Sequence, residues 1–464
     1  MAHQRRYVLP GAPSDELLGL LTRQELESLT LSLQVTERRW TLLRDAPTLL
    51  EAPGSVLSTE ESMRAGTSIL SMSILTDRWL IVLFQGDVLE IWDLCPNSGD
   101  SSAGITKGWH SPEPNGTRQA ECKIVHSVQV NGPCSMSAVT LGEDGRSIIM
   151  AVGSQVQTQV LRFNLSKGEA ASCEHLAAFE TPSPLWTVRA LDPTTHTVVY
   201  SHAVSICFVN WSTKKYCTVT SETEDEELWS SIIGVSLLTS HHVLCVNTRS
   251  VEVYTLDFVE DLQRPLSRGT EHNPLYLYNI GQRPAVTYEH SIPGVTLRGV
   301  SFSQPETTRD ADTQRVAASL MAYDVLRGLF HFSVVLTLPP APWRGAPVPL
   351  DVACTVRGAH HMAQLVPLAD LVDGRAPPRS GYTPGSRGFI SACALGARGR
   401  RGVWIERKRN NMGRTVFGFA AADARAPPGR EDAEPEIAPR CIYEVRNSVD
   451  LRGERRSQCW RAVP

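Results

Sequence analysis

The sequence predicts a mainly β chain built from repeated small sheets, on three observations. First, short β-branched or aromatic runs close in the same way at Leu94 (Val88-Leu-Glu-Ile-Trp-Asp-Leu94), Leu165, Trp211, Leu256, Leu338 and Phe419. The closures are 71, 46, 45, 82 and 81 residues apart, and the two short intervals match the ~40–45 residue blade of a WD40-type propeller. Second, the runs are joined by tight-turn residues such as Gly86, Asp144-Gly145 and Gly153, as in consecutive hairpins. Third, the long intervals hold polar, Pro-rich insertions, which a ring of blades accommodates as inter-blade loops. The expected fold is a WD40-like β-propeller of six to seven blades over residues 67–450, preceded by a helical segment at 1–46 and followed by an irregular tail at 451–464.

Residues 14–43 carry the helical signal. Ser14 or Asp15 can cap a first turn, and Thr22-Arg-Gln-Glu25 has capping-box spacing. Leu26, Leu29, Leu33 and Trp40 then fall on one face, suited either to packing across the ring or to docking a partner.

From about residue 67 the period becomes two. The first blade reads as Ile69-Leu-Ser-Met-Ser-Ile74, Arg78-Trp-Leu-Ile-Val-Leu-Phe84 and the run to Leu94, with 95–119 as an excursion. The second reads as strands at 136–141, 147–152 and up to 165. The third spans 186–191, 197–200 and 204–211, and the fourth 232–238, 242–247 and 251–256. A fifth is stretched by 303–314 and ends in His331-Phe-Ser-Val-Val-Leu336. The sixth is interrupted by 371–387 and resumes at 388–393, 402–405 and 414–419. After the acidic, Pro-rich 420–439, Cys441-Ile-Tyr-Glu-Val445 reads as the start of a seventh blade cut short.

Composition narrows the functional classes. With 45 basic against 49 acidic residues the formal charge is −4, so there is no global electrostatic case for nucleic acid. Eleven cysteines, several inside apolar runs as Cys207 and Cys245 are, read as free buried thiols. The polar N-terminus and the lack of an apolar run of ~18 residues favour an intracellular protein, cytoplasmic or nuclear, that does not span a membrane.

Two segments carry a family resemblance. Arg78-Trp-Leu-Ile-Val leading into Gly86-Asp-Val-Leu-Glu-Ile-Trp-Asp-Leu94, and Gly399-Arg-Arg-Gly-Val-Trp-Ile-Glu-Arg-Lys-Arg409 followed by Ile442-Tyr-Glu-Val445, resemble fungal, especially basidiomycete, F-box proteins with WD40-like propellers. That resemblance implies a Skp1-type adaptor as partner of the N-terminal segment and substrate recruitment for ubiquitination by the propeller. Asp15-Glu-Leu-Leu18 and Arg38-Arg-Trp40-Thr-Leu-Leu43 are similar to the ends of a short F-box, but Leu9-Pro10 is displaced and Thr36-Glu37 replaces the usual Val-Cys. The segment is either a degenerate F-box or the linker helix that follows one.

Candidate chemistry is sparse. His241-His242 and His360-His361 sit next to each other, so on a strand they point to opposite faces and cannot share one metal. The acidic run Glu222-Thr-Glu-Asp-Glu-Glu227 fits a solvated inter-blade loop or a docking strip for a basic partner. Arg400, Arg401 and Arg407, interleaved with Trp404, suit either a charged hairpin edge or the binding of phosphate or nucleic acid. No G-x-S-x-G elbow, P-loop or dinucleotide fingerprint occurs, and no cofactor or metal is expected. The reading is a non-enzymatic interaction propeller that binds protein partners through Leu26, Leu29, Leu33, Trp40, Arg400, Arg401, Trp404 and Arg407. A scaffold unrelated to ubiquitination is the alternative, and a propeller hydrolase a remote one.

Overall fold

The computed structural model describes residues 69–445, apart from 76–77, 95–122, 131–133, 143–145, 166–172, 221–230, 266–274, 284–285, 293, 310–312, 326, 340–350, 363–387, 397–398, 408–413, 421–436 and 438–439, together with residues 461–462. The helical segment at 14–43, with Leu26, Leu29, Leu33 and Trp40, lies outside the described residues, as does the acidic run at 222–227. The described residues divide into two compact units, one within Gly54–Ser291 and the other within Ile292–Pro464.

The Gly54–Ser291 unit holds four sheets. The first is β1 (Ile69–Leu75), β2 (Trp79–Phe84), β3 (Val88–Asp93) and β4 (Lys123–Gln129), each antiparallel to the next. The second repeats the order with β5 (Cys134–Leu141), β6 (Ser147–Ser154), β7 (Gln157–Asn164) and β8 (Cys173–Glu180). The third follows as β9 (Thr187–Asp192), β10 (Thr197–His202), β11 (Ser205–Asn210) and β12 (Lys215–Thr220). In the fourth, β13 (Ile232–Thr239), β14 (His242–Asn247) and β15 (Ser250–Thr255) are in order, but the next strand is displaced. After the short α1 (Val259–Gln263), β16 (Tyr278–Arg283) joins the outer edge of the third sheet, parallel to β12. Only then does β17 (Val286–Ser291) complete the fourth sheet against β15. Consecutive strands thus sit on the edges of two different sheets.

These sheets stack in succession. β1 lies against β5, β5 against β9, and β9 against β13, so first strand meets first strand, as blades meet around an axis. The interfaces are apolar. Ile81, Leu83, Leu89 and Ile91 pack on Ile148, Met150 and Phe163; Ile149 and Val160 pack with Val198, Tyr200 and Val209; Phe208 and Val219 pack with Val243, Cys245 and Tyr254. Second strands are covered on both faces, which is why β2 and β14 are buried at every position and read as near-continuous apolar runs.

The Ile292–Pro464 segment holds two sheets. β18 (Leu297–Phe302) and β19 (Glu306–Arg309) pair with successive halves of β20 (Gln314–Asp324), followed by β21 (Gly328–Leu338) and β22 (Asp351–His361). The stretch read as an insertion at 303–314 therefore holds a strand. Pro305 interrupts the first strand, and Ser303 bridges the break by accepting the Ser319 N–H at 2.8 Å. The last sheet is β23 (Phe389–Leu395), β24 (Arg401–Arg407), β25 (Arg414–Ala420), β26 (Arg440–Val445) and the two-residue β27 (Arg461–Ala462). β18 lies against β23, and Met321, Leu329, Ile390, Trp404 and Phe419 fill the space between the two sheets.

Six sheets stand among the described residues, and one expectation is corrected. Cys441-Ile-Tyr-Glu-Val445 does not open a seventh blade: it is β26, the fourth strand of the sixth sheet, hydrogen-bonded to β25. The long spacer at 421–439 makes it look detached, but antiparallel register depends on the pairing and tolerates a long connection.

Candidate protein-interaction surface

The residues singled out from sequence fall apart in space. Trp404 is wholly buried, stacked on Phe417 at 5.6 Å, with its Nε1–H donating to Glu406 Oε1 at 2.9 Å. Alternation along β24 puts Gly402, Trp404 and Glu406 toward the fifth sheet and Arg401 and Arg407 on the opposite face. The expected strip of interleaved arginine and tryptophan is therefore not one surface: Trp404 is core, while Arg400, Arg401 and Arg407 are half-buried around it. The histidine pairs behave as strand geometry requires. His360 faces Trp404 and Glu406, with Nε2 3.2 Å from Glu406 Oε1, whereas His361 meets Phe330. Among the described residues no group of three His, Cys, Asp or Glu side chains could hold a metal ion.

Buried carboxylates recur on these strands and accept hydrogen bonds there. Glu252 accepts from Ser250 at 2.7 Å and from Asn247 and Tyr254. Glu90 accepts from Trp92 Nε1 at 3.1 Å, and burial raises its pKa. Residues two apart share a strand face, so each aromatic donor reaches a carboxylate on its own strand. These groups hold the core together.

A cleft of about 830 Å³ lies between the second and third sheets. Two four-residue turns build one wall: 193–196 between β9 and β10, and 211–214 between β11 and β12. Each is fixed by an Asx side chain. Asp192 accepts from the Thr194 N–H at 2.9 Å, the Thr194 hydroxyl at 2.6 Å and the Thr195 hydroxyl at 2.8 Å. Asn210 Oδ1 accepts from the Ser212 and Thr213 N–H groups at 3.0 and 2.9 Å, while its Nδ2 donates to the Thr195 carbonyl at 2.8 Å. The Trp211 N–H adds a bond to the His196 carbonyl at 2.9 Å. The turns are thus bolted to each other.

The last residue of each turn, His196 and Lys214, has positive φ, 54° and 60°. Such turns accept this backbone, but Gly or Asn adopts it at lower cost than Lys. Lys214 reaches across to the second sheet, donating to the Ala178 carbonyl at 2.7 Å beside the Phe179 ring, and burial lowers its pKa. Arg162 comes from β7; its guanidinium meets Glu174 at 3.3 Å near the rim, while its buried Nε makes no hydrogen bond. Trp211, edge-on to His196 at 5.4 Å, and Ile149 give the cleft apolar walls. Among the described residues no carboxylate lines it.

This cleft was missed from sequence, although a signal is present. Asp192-Pro-Thr-Thr-His196 and Asn210-Trp-Ser-Thr-Lys214 share the pattern Asx, any residue, Ser or Thr, Thr, basic residue. Together, fold and cleft define a class: a mainly β protein of stacked blade-type sheets with a preformed recess on their turns.

No family model and no curated protein matches this sequence. Solved structures of similar shape include the WD40 domain of SCAP from fission yeast, at 8% identity over 82% of this chain and 77% of that one, with a TM-score of 0.40. Another is the β-propeller domain of Cps50 (Swd1) from Myceliophthora thermophila, at 10% identity, 77% and 86% coverage and a TM-score of 0.37. A third is the Nup170 N-terminal domain–Nup53 complex from Chaetomium thermophilum, at 8% identity, 80% and 50% coverage and a TM-score of 0.41. Fold class rests on strand order and stacking, not on these likenesses. Among the described residues no helix is long and apolar enough to cross a membrane.

Proposed function

We propose that this chain is a non-enzymatic interaction platform, a WD40-like propeller that holds partner proteins on its turns, similar to the substrate-recruiting part of an F-box protein of an SCF-type ubiquitin ligase. The observation that carries the platform reading is the cleft: two turns locked by Asp192 and Asn210 present a preformed recess on rigid sheets. Rigid scaffolds with binding residues on their connections are the common design for recognition. Leu26, Leu29, Leu33 and Trp40 are the proposed adaptor-facing residues, on the strength of their helical spacing.

The test is co-purification of the full chain with a Skp1-type adaptor, beside a Leu29→Asp/Leu33→Asp double variant. A stoichiometric complex lost in the variant supports the ubiquitin-linked role. An adaptor that elutes separately from the wild-type chain rejects that role and leaves a scaffold independent of ubiquitination.

A further inference from the structure

The cleft between the second and third sheets has a chemistry of its own. Its cations are under-used. An ammonium carries three protons, and Lys214 places one on the Ala178 carbonyl. Arg162 has a buried Nε without a hydrogen bond, a cost that a bound acceptor removes. His196 stands exposed at the rim. Arg162, Lys214 and His196 on its walls suit the recess to an anion. Its size and walls say which kind. A free phosphate would fill a small part of about 830 Å³ and leave the partly exposed Leu176 and Pro193 uncovered, whereas a peptide covers both kinds of surface.

We infer that this cleft receives an acidic segment of a partner protein, with a side-chain carboxylate against Arg162 and Lys214 and an apolar side chain against Leu176 and Pro193. The inference rests on the platform reading and specifies the partner: glutamate- or aspartate-bearing chain interspersed with apolar residues. Asp192 does not compete for the cations, because both its oxygens are committed to the turn. Arg162 keeps Glu174 as a counter-ion at the rim while the cleft is empty, a half-exposed pair of small energy that is easily exchanged.

The experiment uses the full chain and two fluorescein-labelled peptides, one of glutamates interspersed with leucine and glycine, the other with glutamine at every glutamate. Fluorescence polarisation should show saturable binding of the glutamate peptide, weaker by about tenfold or more for the glutamine peptide. Arg162→Gln and Lys214→Asn should each cost about tenfold in affinity. Asparagine suits the positive φ at Lys214, so that variant keeps the turn, and unchanged circular dichroism melts confirm the fold of both. Equal binding of the two peptides, or affinity unmoved in both variants, overturns the inference. So does a chain that ignores the glutamate peptide while inorganic phosphate protects it against thermal unfolding, since that identifies a small-anion site. The adaptor test involves the N-terminal residues, so either experiment can fail while the other succeeds.

Discussion

Replacing Asn210 by alanine should unfasten the turn pair. Its side chain is almost wholly buried and makes three hydrogen bonds to main-chain groups, two accepted at 3.0 and 2.9 Å and one donated at 2.8 Å. Alanine leaves the Ser212 and Thr213 N–H groups unpaired, and the Thr195 carbonyl with only the Thr197 hydroxyl at 3.3 Å. Each such bond contributes about 1 kcal/mol, and an orphaned buried group costs about 1–3 kcal/mol, so the expected loss is about 3–5 kcal/mol, allowing for partial access of water at the rim. In a domain of this size that corresponds to a melting point lower by roughly 6–20 °C. Differential scanning calorimetry of the full chain measures it. Asn210→Asp, which keeps the acceptor and loses only the donor, should fall in between. An alanine variant that melts within about 1 °C of the wild type would refute the claim that these bonds fix the turns.

Further outcomes follow from buried groups. His242 and His331 are held neutral by burial, their pKa values pushed down to about 4 from 6.5. Above about pH 6.5 neither state binds their protons, and below it only the unfolded chain does. Stability should therefore fall with pH by about 1.4 kcal/mol per unit for each histidine down to about pH 4. A His242→Gln/His331→Gln variant should flatten that slope in urea midpoints, and an unchanged slope would contradict the assignment. At Gly328, with φ of +142°, an added Cβ would sit 2.0 Å from the His360 carbonyl oxygen. Gly328→Ala should cost more than about 2 kcal/mol in chemical denaturation. Iodoacetamide should modify exposed Cys173 in the folded protein, but Cys207 and Cys245 only after denaturation, because burial raises both their pKa values. Peptide mapping by mass spectrometry reads the order.

The middle strands were legible because they are covered on both faces: Trp79-Leu-Ile-Val-Leu-Phe84 is apolar at every position and buried at every position. Outer strands were not. β8 (Cys-Glu-His-Leu-Ala-Ala-Phe-Glu) is half solvated, so its composition overlaps that of a loop, and only its pairing with β7 makes it a strand. The crossing of β16 to the third sheet is invisible for a different reason, since the parallel partner of a strand is not written in its own residues. Trp404 and its arginines misled because the sequence places them side by side, while the pleat sends them to opposite faces. The pairing of Glu406 with Trp404 on the inner face shows what the interleaved charge serves there.

The two turns of the cleft show how a site can arise from ordinary hairpin physics. Once Asp192 and Asn210 hold the backbone, each turn needs positive φ at its last position and nothing more, so glycine or asparagine would suffice. Lysine stands at the second of these positions, against the local preference, and it faces the same recess as His196. Local propensity therefore cannot account for Lys214, part of whose cost is offset by its bond to Ala178. If that bond were its whole purpose, Lys214→Gly would destabilise the fold, because the lost contact outweighs the relieved backbone. If the side chain is kept for a ligand, Lys214→Gly should leave melting unchanged or raise it while weakening the acidic peptide by about tenfold. Stability and affinity moving in opposite directions is the signature of a residue retained for binding, and a parallel loss of both would make Lys214 a structural pin.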